Sequence, residues 1–359
     1  MNSPDFGFEG LRKRKSEVGR LVERFAPYLA SSDTFDILLN PPKTEGMGCA
    51  VYVDSGATGL VDTGVVIPAR EVASLNRSIA SELGRRIDED HPILMGELPW
   101  DGCRVTALNY PLTRTGPALC LRKPSSALFT FDDYVNSGAL DAPGNARPSK
   151  VKVYPKLRGH RAAIEYAVAN GLNGLIVGRP QAGKSTLLNA VQFATRQRTP
   201  SRRVFLIEDL VELKDEALPE NTLRVQPCAA LGITDSDLLQ VGKRVRPDGI
   251  IVAELLRPQA CYNFLAWLNS GMDASWTTVH GNSAHDGLVA CETLVEQVPG
   301  IEVSSHMIAK AIDIAVFIER LPEGRRITEV AFVTGSRGRG DYDLDYVEVD
   351  DRRPSLATA

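Results

Sequence analysis

The apolar positions of the chain follow two patterns, one before and one after about residue 145. In the first part, short apolar runs bounded by turn residues indicate strands, and one stripe at helical spacing indicates a helix. The strands are predicted at Phe35–Leu39, Ala50–Asp54, Arg104–Leu108 and Ala118–Arg122, and the helix at Ala69–Leu83. In the second part, buried strands alternate with amphipathic helices, which is typical of a mostly parallel sheet covered by helices.

Most strands of the second part end next to a polar residue. They are predicted at Gly174–Val177, Arg203–Ile207, Thr222–Gln226, Gly249–Ala253 and Ala274–Val279, followed by an antiparallel pair, Ala315–Arg320 with Arg326–Val333. In a parallel sheet the carboxyl ends of the strands meet at one edge, where ligands bind. Glu208, Glu254 and His280, which each follow a strand, are therefore expected to lie at one site.

The segment between the first of these strands and the next helix matches the pattern G-x-x-x-x-G-K-S. It runs from Gly178 to Ser185, in the strand–loop–helix context where this pattern forms a phosphate-binding loop. Backbone N–H groups of such a loop surround the phosphates, Lys184 reaches the terminal ones and the Ser185 hydroxyl binds Mg²⁺. The predicted nucleotide-binding residues are Gly178, Arg179, Pro180, Gln181, Ala182, Gly183, Lys184, Ser185 and Thr186.

The predicted fold class is α/β, with a C-terminal RecA-like P-loop NTPase domain and a smaller α/β N-terminal domain. The predicted division is a basic amphipathic helix over residues 1–30, the N-terminal domain over 31–140, a linker over 141–155, the ATPase domain over 156–334 and a polar tail over 335–359. The basic helix either packs on its own domain, lies on an anionic membrane surface or docks a partner, and its pattern leaves these alternatives open.

Phosphoryl transfer needs a metal ion on the phosphates and an aligned water molecule. The chain offers carboxylates for both roles at the ends of two strands, Glu208-Asp209 and Glu254. Ser185, Asp209 and Glu254 are the predicted magnesium ligands, because a carboxylate near Mg²⁺ can hold a metal-bound water. Either Glu208 or Glu254 could polarise the attacking water, and His280 could contact the terminal phosphate or that water.

Bulk properties exclude several classes of protein. The net charge of −4 argues against a nucleic-acid-coating protein, and no direct nucleic-acid binding is expected. Six scattered cysteines without a C-x-x-C pair indicate reduced thiols rather than a disulfide framework. No apolar run reaches the length of about 18 residues that a membrane span needs. The expected location is the cytoplasm, with at most peripheral contact with a membrane.

Several segments resemble conserved boxes of the type II/IV secretion ATPases. Phe205–Leu213 is similar to their "Asp box", Arg246–Glu254 to their Walker B segment and Thr277–Ser283 to their "His box", and these segments follow the P-loop in the same order as in the family. In the N-terminal half, Phe35–Pro41, Pro92–Pro99, Leu121–Pro124 and Phe129–Tyr134 resemble the conjugal-transfer branch of that family. The resemblance extends from about residue 30 to about residue 333.

The resemblance implies a two-domain ATPase that forms a homo-hexameric ring at the cytoplasmic face of the inner membrane. ATP with Mg²⁺ would bind between the domains, and hydrolysis would drive pilus assembly or substrate transfer together with other proteins of the apparatus. It also implies that arginines of the N-terminal domain reach the phosphates, and the matching candidates are Arg122 and Arg104.

Two departures from the family pattern bear on turnover. Arg179, Pro180 and Gln181 stand in a loop that is usually rich in glycine, and Pro180 has no N–H to donate. The Walker B segment continues Glu254-Leu255-Leu256-Arg257, which displaces its arginine by one residue. We expect these changes to affect hydrolysis and switching rather than the fold.

Three other functions compete with the motor of a conjugation or type IV secretion apparatus. A motor for pilus or type II secretion assembly belongs to the same class of enzyme, but the chain has no tetracysteine metal-binding insert. A weakly hydrolysing, nucleotide-gated scaffold would account for the altered loop. A nucleic-acid-translocating ATPase is disfavoured by the acidic balance and by the absence of a basic stretch interspersed with aromatic residues.

Overall fold

Two β-sheets, one in each half of the chain, organise the computed structural model. The structure describes residues 25, 27–28, 31, 33–56, 58–99, 102–124, 130–141, 152–302 and 304–349. Most of the predicted N-terminal helix and of the predicted linker therefore lies outside the described residues. Of that helix, the side chain of Phe25 is buried in the core of the N-terminal domain, which fits the alternative in which the helix packs on its own domain.

The N-terminal sheet has six strands, and every neighbouring pair is antiparallel. Its elements are β1 Thr34–Asn40, β2 Gly48–Ser55, β3 Gly59–Pro68, β4 Ile93–Glu97, β5 Arg104–Leu108 and β6 Ala118–Arg122, with helices α1 Ala69–Glu82 and α2 Phe131–Asn136. The strand order is β3-β2-β1-β6-β5-β4. The sequence patterns did not predict β3 and β4, because each contains a glycine and β3 is largely exposed at the sheet edge.

Both faces of this sheet are covered, which explains the continuous apolar run in β1. Successive side chains of a strand point to opposite faces. Ile37 and Leu39 therefore pack in the cluster that includes α1, whereas Leu38 joins the large cluster of the ATPase domain. The N-terminal domain thus shares one hydrophobic core with its own helix and another with the second domain.

The second sheet has eight strands in the order β14-β13-β12-β7-β11-β10-β8-β9. Its strands are β7 Gly174–Val177, β8 Val204–Ile207, β9 Thr222–Val225, β10 Gly249–Val252, β11 Trp276–Val279, β12 Ile314–Leu321, β13 Gly324–Gly338 and β14 Asp341–Tyr346. Its helices are α3 His160–Ala169, α4 Lys184–Arg198, α5 Asp235–Gly242, α6 Pro258–Asn269, α7 Ala284–Glu296 and α8 Ser305–Ala311. The strands from β12 to β9 are parallel, and β13 and β14 are antiparallel.

Helices cover both faces of this sheet, as the sequence predicts. Residues of α3 and α4 pack on one face and residues of α5 to α8 on the other. All four residues of β7, β8, β10 and β11 are buried, as expected for parallel strands between two helical layers.

The prediction of a polar tail from residue 335 is wrong for the described residues. Strand β13 continues to Gly338, and β14 pairs with it in antiparallel register from Ala331↔Tyr346 to Gly338↔Asp341. Buried Tyr342 donates its hydroxyl to Glu292 at 3.1 Å, which ties the segment to α7. Charge and glycine content suggested a loop, but the segment forms an edge of the sheet, where one face can remain polar.

The N-terminal domain docks on the amino ends of strands of the second sheet through a buried polar network. Arg203, just before β8, is fully buried, and its Nη1 donates at 2.7 Å to the side-chain oxygens of both Asn40 and Asn221. Its Nε donates to the Val245 carbonyl at 2.7 Å. Since Asn40 ends β1, this arginine joins the two domains.

A second link involves Arg246, which precedes β10. Its Nε lies 2.6 Å from Asp54 Oδ2 of the N-terminal domain, and its Nη1 lies 2.6 Å from Asp248. Arg246 has a φ of 56°, in the left-handed region that costs a residue with a side chain about 1 kcal/mol or more. The two ion pairs offset this cost.

Two further predictions concern membrane-spanning helices and the state of the cysteines. No helix of the described residues is long and apolar enough to cross a membrane. All six cysteines are free thiols, and all except Cys228 are buried.

Candidate active site

The phosphate-binding loop connects β7 to α4 and lies against the β12–β13 hairpin. A Cβ atom on Gly178 would stand 2.5 Å from the carbonyl oxygen of Ile318, and one on Gly183 would stand 2.7 Å from Cδ of Arg325. Gly183 also has a φ of 105°, which favours glycine. Both glycines of the motif are therefore required by the backbone path and by packing, before any ligand is considered.

The loop offers backbone N–H groups to an anion. Within the described ranges, neither Gln181 nor Gly183 donates its N–H to a protein acceptor. The first N–H groups of α4 have no partner inside the helix, and the positive end of the helix dipole adds to their effect. This cradle fits a phosphate group, although Pro180 contributes no N–H to it.

The middle of the loop differs from a glycine-rich loop in two ways. Gln181 has a φ of 62°, a conformation that glycine adopts more easily. Arg179 donates its Nε to Asn282 Oδ1 at 2.9 Å, after β11, and does not line the cavity of the P-loop. The predicted contact between Arg179 and the nucleotide stays a prediction.

Lys184, Glu254 and His280 meet at the carboxyl ends of the strands. The Lys184 ammonium, which is 8% exposed, lies 3.1 Å from His280 Nδ1 and 3.2 Å from Glu254 Oε1. His280 Nε2 lies 3.0 Å from the same glutamate oxygen. Because an ammonium can only donate, Nδ1 accepts a hydrogen bond from Lys184, and the neutral imidazole then carries its proton on Nε2, the nitrogen next to Glu254. The structure brings these three predicted residues into one polar cluster.

Glu208 is in a different environment. Its side chain is buried, and Oε1 pairs with Arg224 Nε at 2.9 Å. Its other oxygen accepts the backbone N–H groups of Glu212 and Leu213 at 3.1 and 3.3 Å. Burial raises the pKa of the Glu208 carboxyl, and Arg224 with the two N–H groups opposes that shift. Glu208 thus holds the turn after β8, whereas Glu254 faces the loop.

A third carboxylate, Glu212, lies beside the loop and was missed by the sequence patterns. The Ser185 hydroxyl donates to Glu212 Oε2. Glu212 sits four residues beyond Glu208 in a loop, so no strand end or periodicity marked it. Only its place inside the segment similar to the Asp box could have identified it.

Asp209, predicted as a magnesium ligand, is paired with Arg257. The distance from Arg257 Nη2 to Asp209 Oδ2 is 3.5 Å, and Nη1 lies 3.1 Å from Asp235 Oδ2. The displaced arginine of the Walker B segment therefore joins the turn after β8 to the start of α5. Burial raises the pKa of Asp235, against the effect of Arg257.

A cavity of about 590 Å³ lies beside the phosphate-binding loop and is large enough for a nucleotide. The predicted residues on its wall include Lys184, Ser185, Glu208, Glu254 and His280. The wall also contains Arg325 of the β12–β13 hairpin, which was not predicted. No residue of the described N-terminal domain reaches this cavity.

Arg122 and Arg104 lie in a separate cavity of about 470 Å³ between the domains, with Lys243 and Arg244 on its other side. The two arginines are directly opposite each other on β5 and β6. Arg122 Nε is 2.8 Å from Asp36 Oδ1. The structure therefore does not bring the predicted arginines to the P-loop of the same chain.

The likeness to known proteins agrees with this arrangement. Residues 160–321 match a family model described as "Type II/IV secretion system protein". Conjugal transfer protein TrbB of Rhizobium radiobacter is 28% identical over 341 residues, which cover 95% of each chain. Type IV secretion system protein VirB11 of Bartonella quintana is 24% identical, over 90% of this chain and 96% of that protein.

One solved structure is similar over most of the chain. It is the VirB11 ATPase of the Brucella suis type IV secretion system in complex with sulphate, with a TM-score of 0.74 and 22% identity. The alignment covers 90% of this chain and 96% of the VirB11 chain. The predicted fold class, a P-loop ATPase domain with a smaller α/β domain, is confirmed.

Proposed function

We propose that the chain is an ATP-hydrolysing motor of a conjugation or type IV secretion apparatus, because residues 160–321 match the type II/IV secretion system family model and TrbB and VirB11 proteins are similar over most of the chain. The observation that carries the proposal is the cluster of Lys184, Glu254 and His280 beside the phosphate-binding loop. In this proposal, a terminal phosphate and its attacking water would meet beside that cation, carboxylate and imidazole.

Binding begins with an exchange of partners at Lys184. In the structure its ammonium is paired with Glu254. A terminal phosphate in the loop carries more charge than a carboxylate, and Lys184 would move its hydrogen bonds to that phosphate. Glu254 would then be free of its cation while it stays in contact with His280 Nε2, 3.0 Å away.

Glu254 is the better of the two candidates for the base. It is partly exposed and lines the nucleotide cavity next to Lys184, so its second oxygen can accept a proton from water. Glu208 already uses both oxygens, one in an ion pair and one for two backbone N–H groups. We assign Glu208 to positioning the turn that carries Glu212.

The donor set also fits Mg²⁺, which would neutralise charge on the phosphates when bound. Mg²⁺ commonly uses one or two protein oxygens together with phosphates and waters, so a complete protein cage is not needed. Among the described residues there is no group of three or more ligands that could hold a metal by itself. Ser185 with Glu212 beside it would hold the ion, and Asp209 and Glu254 stay predicted ligands.

The proposal includes a homo-hexameric ring, peripheral to the cytoplasmic face of the inner membrane, that works with other proteins of the apparatus. Arg122 and Arg104 would reach nucleotide phosphates only through domain movement or from a neighbouring protomer, because the cavity they line is separate from the P-loop. Their position at the domain boundary supports a role that depends on assembly or closure.

Hydrolysis of ATP by the purified chain with Mg²⁺ tests the enzyme proposal. Lys184→Ala should lower the turnover number by about 10²-fold or more, because it removes a charge from the developing phosphate. Lys310→Ala, at the exposed end of α8, is the matched control and should keep the wild-type rate. Wild-type protein that binds ATP without turnover would instead support the scaffold alternative, and failure to bind ATP would reject both functions.

The ring proposal needs a separate measurement. Light scattering at several protein concentrations, with and without ATP, should give a species of six chains. A monomer under all these conditions would contradict the ring without touching the enzyme proposal.

A further inference from the structure

We propose that Arg325, on the β12–β13 hairpin, binds the diphosphate part of the nucleotide from the side of the loop opposite His280. The proposal rests on the proposed nucleotide-binding function and adds to it a residue that neither the motif nor the family boxes include.

The first observation is contact with the loop itself. The side chain of Arg325 lies over the Cα of Gly183, so that a Cβ there would stand 2.7 Å from Cδ and 3.2 Å from Nε of the arginine. The same side chain forms part of the wall of the nucleotide cavity. Its guanidinium is therefore already next to the N–H groups that would surround a phosphate.

The second observation is that this cation has no counter-ion among the described residues. Within the described part of the chain, the Arg325 side chain makes no ion pair or hydrogen bond, although the neighbouring Arg326 donates to the carbonyls of both Arg325 and Glu323. Arg325 is also directly opposite Arg320 across the hairpin. Like charges in that position destabilise a strand pair, and a bound anion would remove the penalty.

The position of the hairpin determines which phosphates Arg325 faces. Strand β7, which leads into the loop, lies between β11 and β12. The Lys184 ammonium points to the β11 side, toward His280 and Glu254, and we therefore assign the terminal phosphate to that side. Arg325 approaches the loop from the β12 side. It would therefore contact the inner phosphates, which ADP and ATP share.

The test compares binding of ADP, ATP and inorganic pyrophosphate to the full chain by calorimetry. Arg325→Gln should raise the Kd of all three by about tenfold, as expected for one charge-assisted contact of about 1.4 kcal/mol. Arg326→Gln is the matched control, because it removes the same charge one residue away, on the other face of the strand, and it should stay within about twofold of wild type.

Three outcomes would overturn the assignment. Equal Kd values for ADP in the Arg325→Gln and Arg326→Gln variants would show that Arg325 makes no contact. A loss for ATP but not for ADP would place the guanidinium at the terminal phosphate. A loss for both nucleotides but not for pyrophosphate would place it at the nucleoside.

The failure of the underlying function would look different. In that case wild-type protein would bind neither nucleotide, and Lys184→Ala would change nothing. If wild type binds ADP and Lys184→Ala weakens it while Arg325→Gln does not, only the inference about Arg325 is rejected.

Discussion

Strands β8 and β10 carry polar side chains at both ends, and the two ends are built in opposite ways. At the carboxyl end of β10, Glu254 is one-third exposed, at 33%, and holds Lys184 and His280 through single contacts of 3.0 to 3.2 Å. At the amino end of β8, Arg203 is fully buried and donates to three protein oxygens. One end can exchange partners with a ligand, and the other cannot.

The difference shows how one sheet can serve both chemistry and domain attachment. Ion pairs that can exchange partners suit a site where a phosphate must replace a carboxylate as the partner of Lys184. A buried network of several hydrogen bonds suits a joint that must stay closed, because taking the partner away from one of its groups would cost about 1–3 kcal/mol. Strands of only four residues connect the two ends, so a change at the nucleotide has a short path to the N-terminal domain.

The largest expected effect is on catalysis at the carboxyl end of β10, where Glu254 lies. Glu254→Gln should lower the turnover number of ATP hydrolysis by about 10²- to 10⁴-fold, since it removes the proposed base while keeping the shape of the side chain. The thermal midpoint should change little because the side chain is partly exposed. Glu208→Gln is the control with the same chemical change one strand away, and we expect a loss of less than about tenfold. Equal losses would erase the distinction between the two glutamates.

The next largest effect is on stability at the amino end of β8, where Arg203 is buried. Arg203→Met should lower the free energy of unfolding by about 3 kcal/mol, because Asn40, Asn221 and the Val245 carbonyl lose a donor inside the protein. Urea unfolding would measure it. Arg202→Met is the comparison, because Arg202 is a partly buried neighbour, and it should lower the free energy of unfolding by less. An unchanged unfolding midpoint for Arg203→Met would show that the joint is not needed for stability.

A smaller effect is expected at the second link between the domains, where the side chains of Arg246 and Asp54 are 24% and 12% exposed. Asp54→Asn removes one of the two carboxylates that hold Arg246, and it should cost about 1 kcal/mol, because Asp248 still pairs with the guanidinium. The cost should shrink only slightly as salt is added, because a largely buried pair is weakly screened. Urea unfolding at low and high salt would detect this, and a loss as large as that of Arg203→Met would contradict the ranking.

The smallest effect concerns the pH dependence of stability at Glu208. Burial raises its pKa in the folded protein, so the folded state binds a proton more readily than the unfolded state. The resulting stability is present below the usual carboxyl pKa of about 4.3 and is lost as the pH rises through the folded value. The stability of wild type relative to Glu208→Gln should therefore fall as the pH rises from about 4. A rise would mean that Arg224 dominates over burial.

Prediction from the sequence worked best where local pattern and chemistry coincide. The four residues of β7, the loop after it and the strand-end residues Glu254 and His280 all carry local signals, and the structure places them together. Prediction was wrong for residues 335–349, where β13 and β14 have a charged, glycine-containing sequence at a sheet edge. Strand pairing there is decided by the neighbouring strand, which local composition does not show.

Residues whose role depends on distant partners were not found. Arg325 and Glu212 line the nucleotide cavity, but neither directly follows the carboxyl end of a parallel strand or belongs to the motif. Arg203 was seen only as the first residue of a predicted strand, although it joins the domains through Asn40, 163 residues away in the chain. The different roles of Glu208 and Glu254 also stayed open, because both follow an apolar strand.

The sequence by itself therefore determined most of the strands and helices, the phosphate-binding loop and the set of residues at the carboxyl edge. Those features depend on periodicity and on residues that are neighbours in the chain. The tertiary structure alone decided which acid faces the loop, which arginine lies over the loop and which polar groups join the domains. These properties depend on burial and on contacts between distant segments, and the burial of a charge and its partners exists only once the chain has folded.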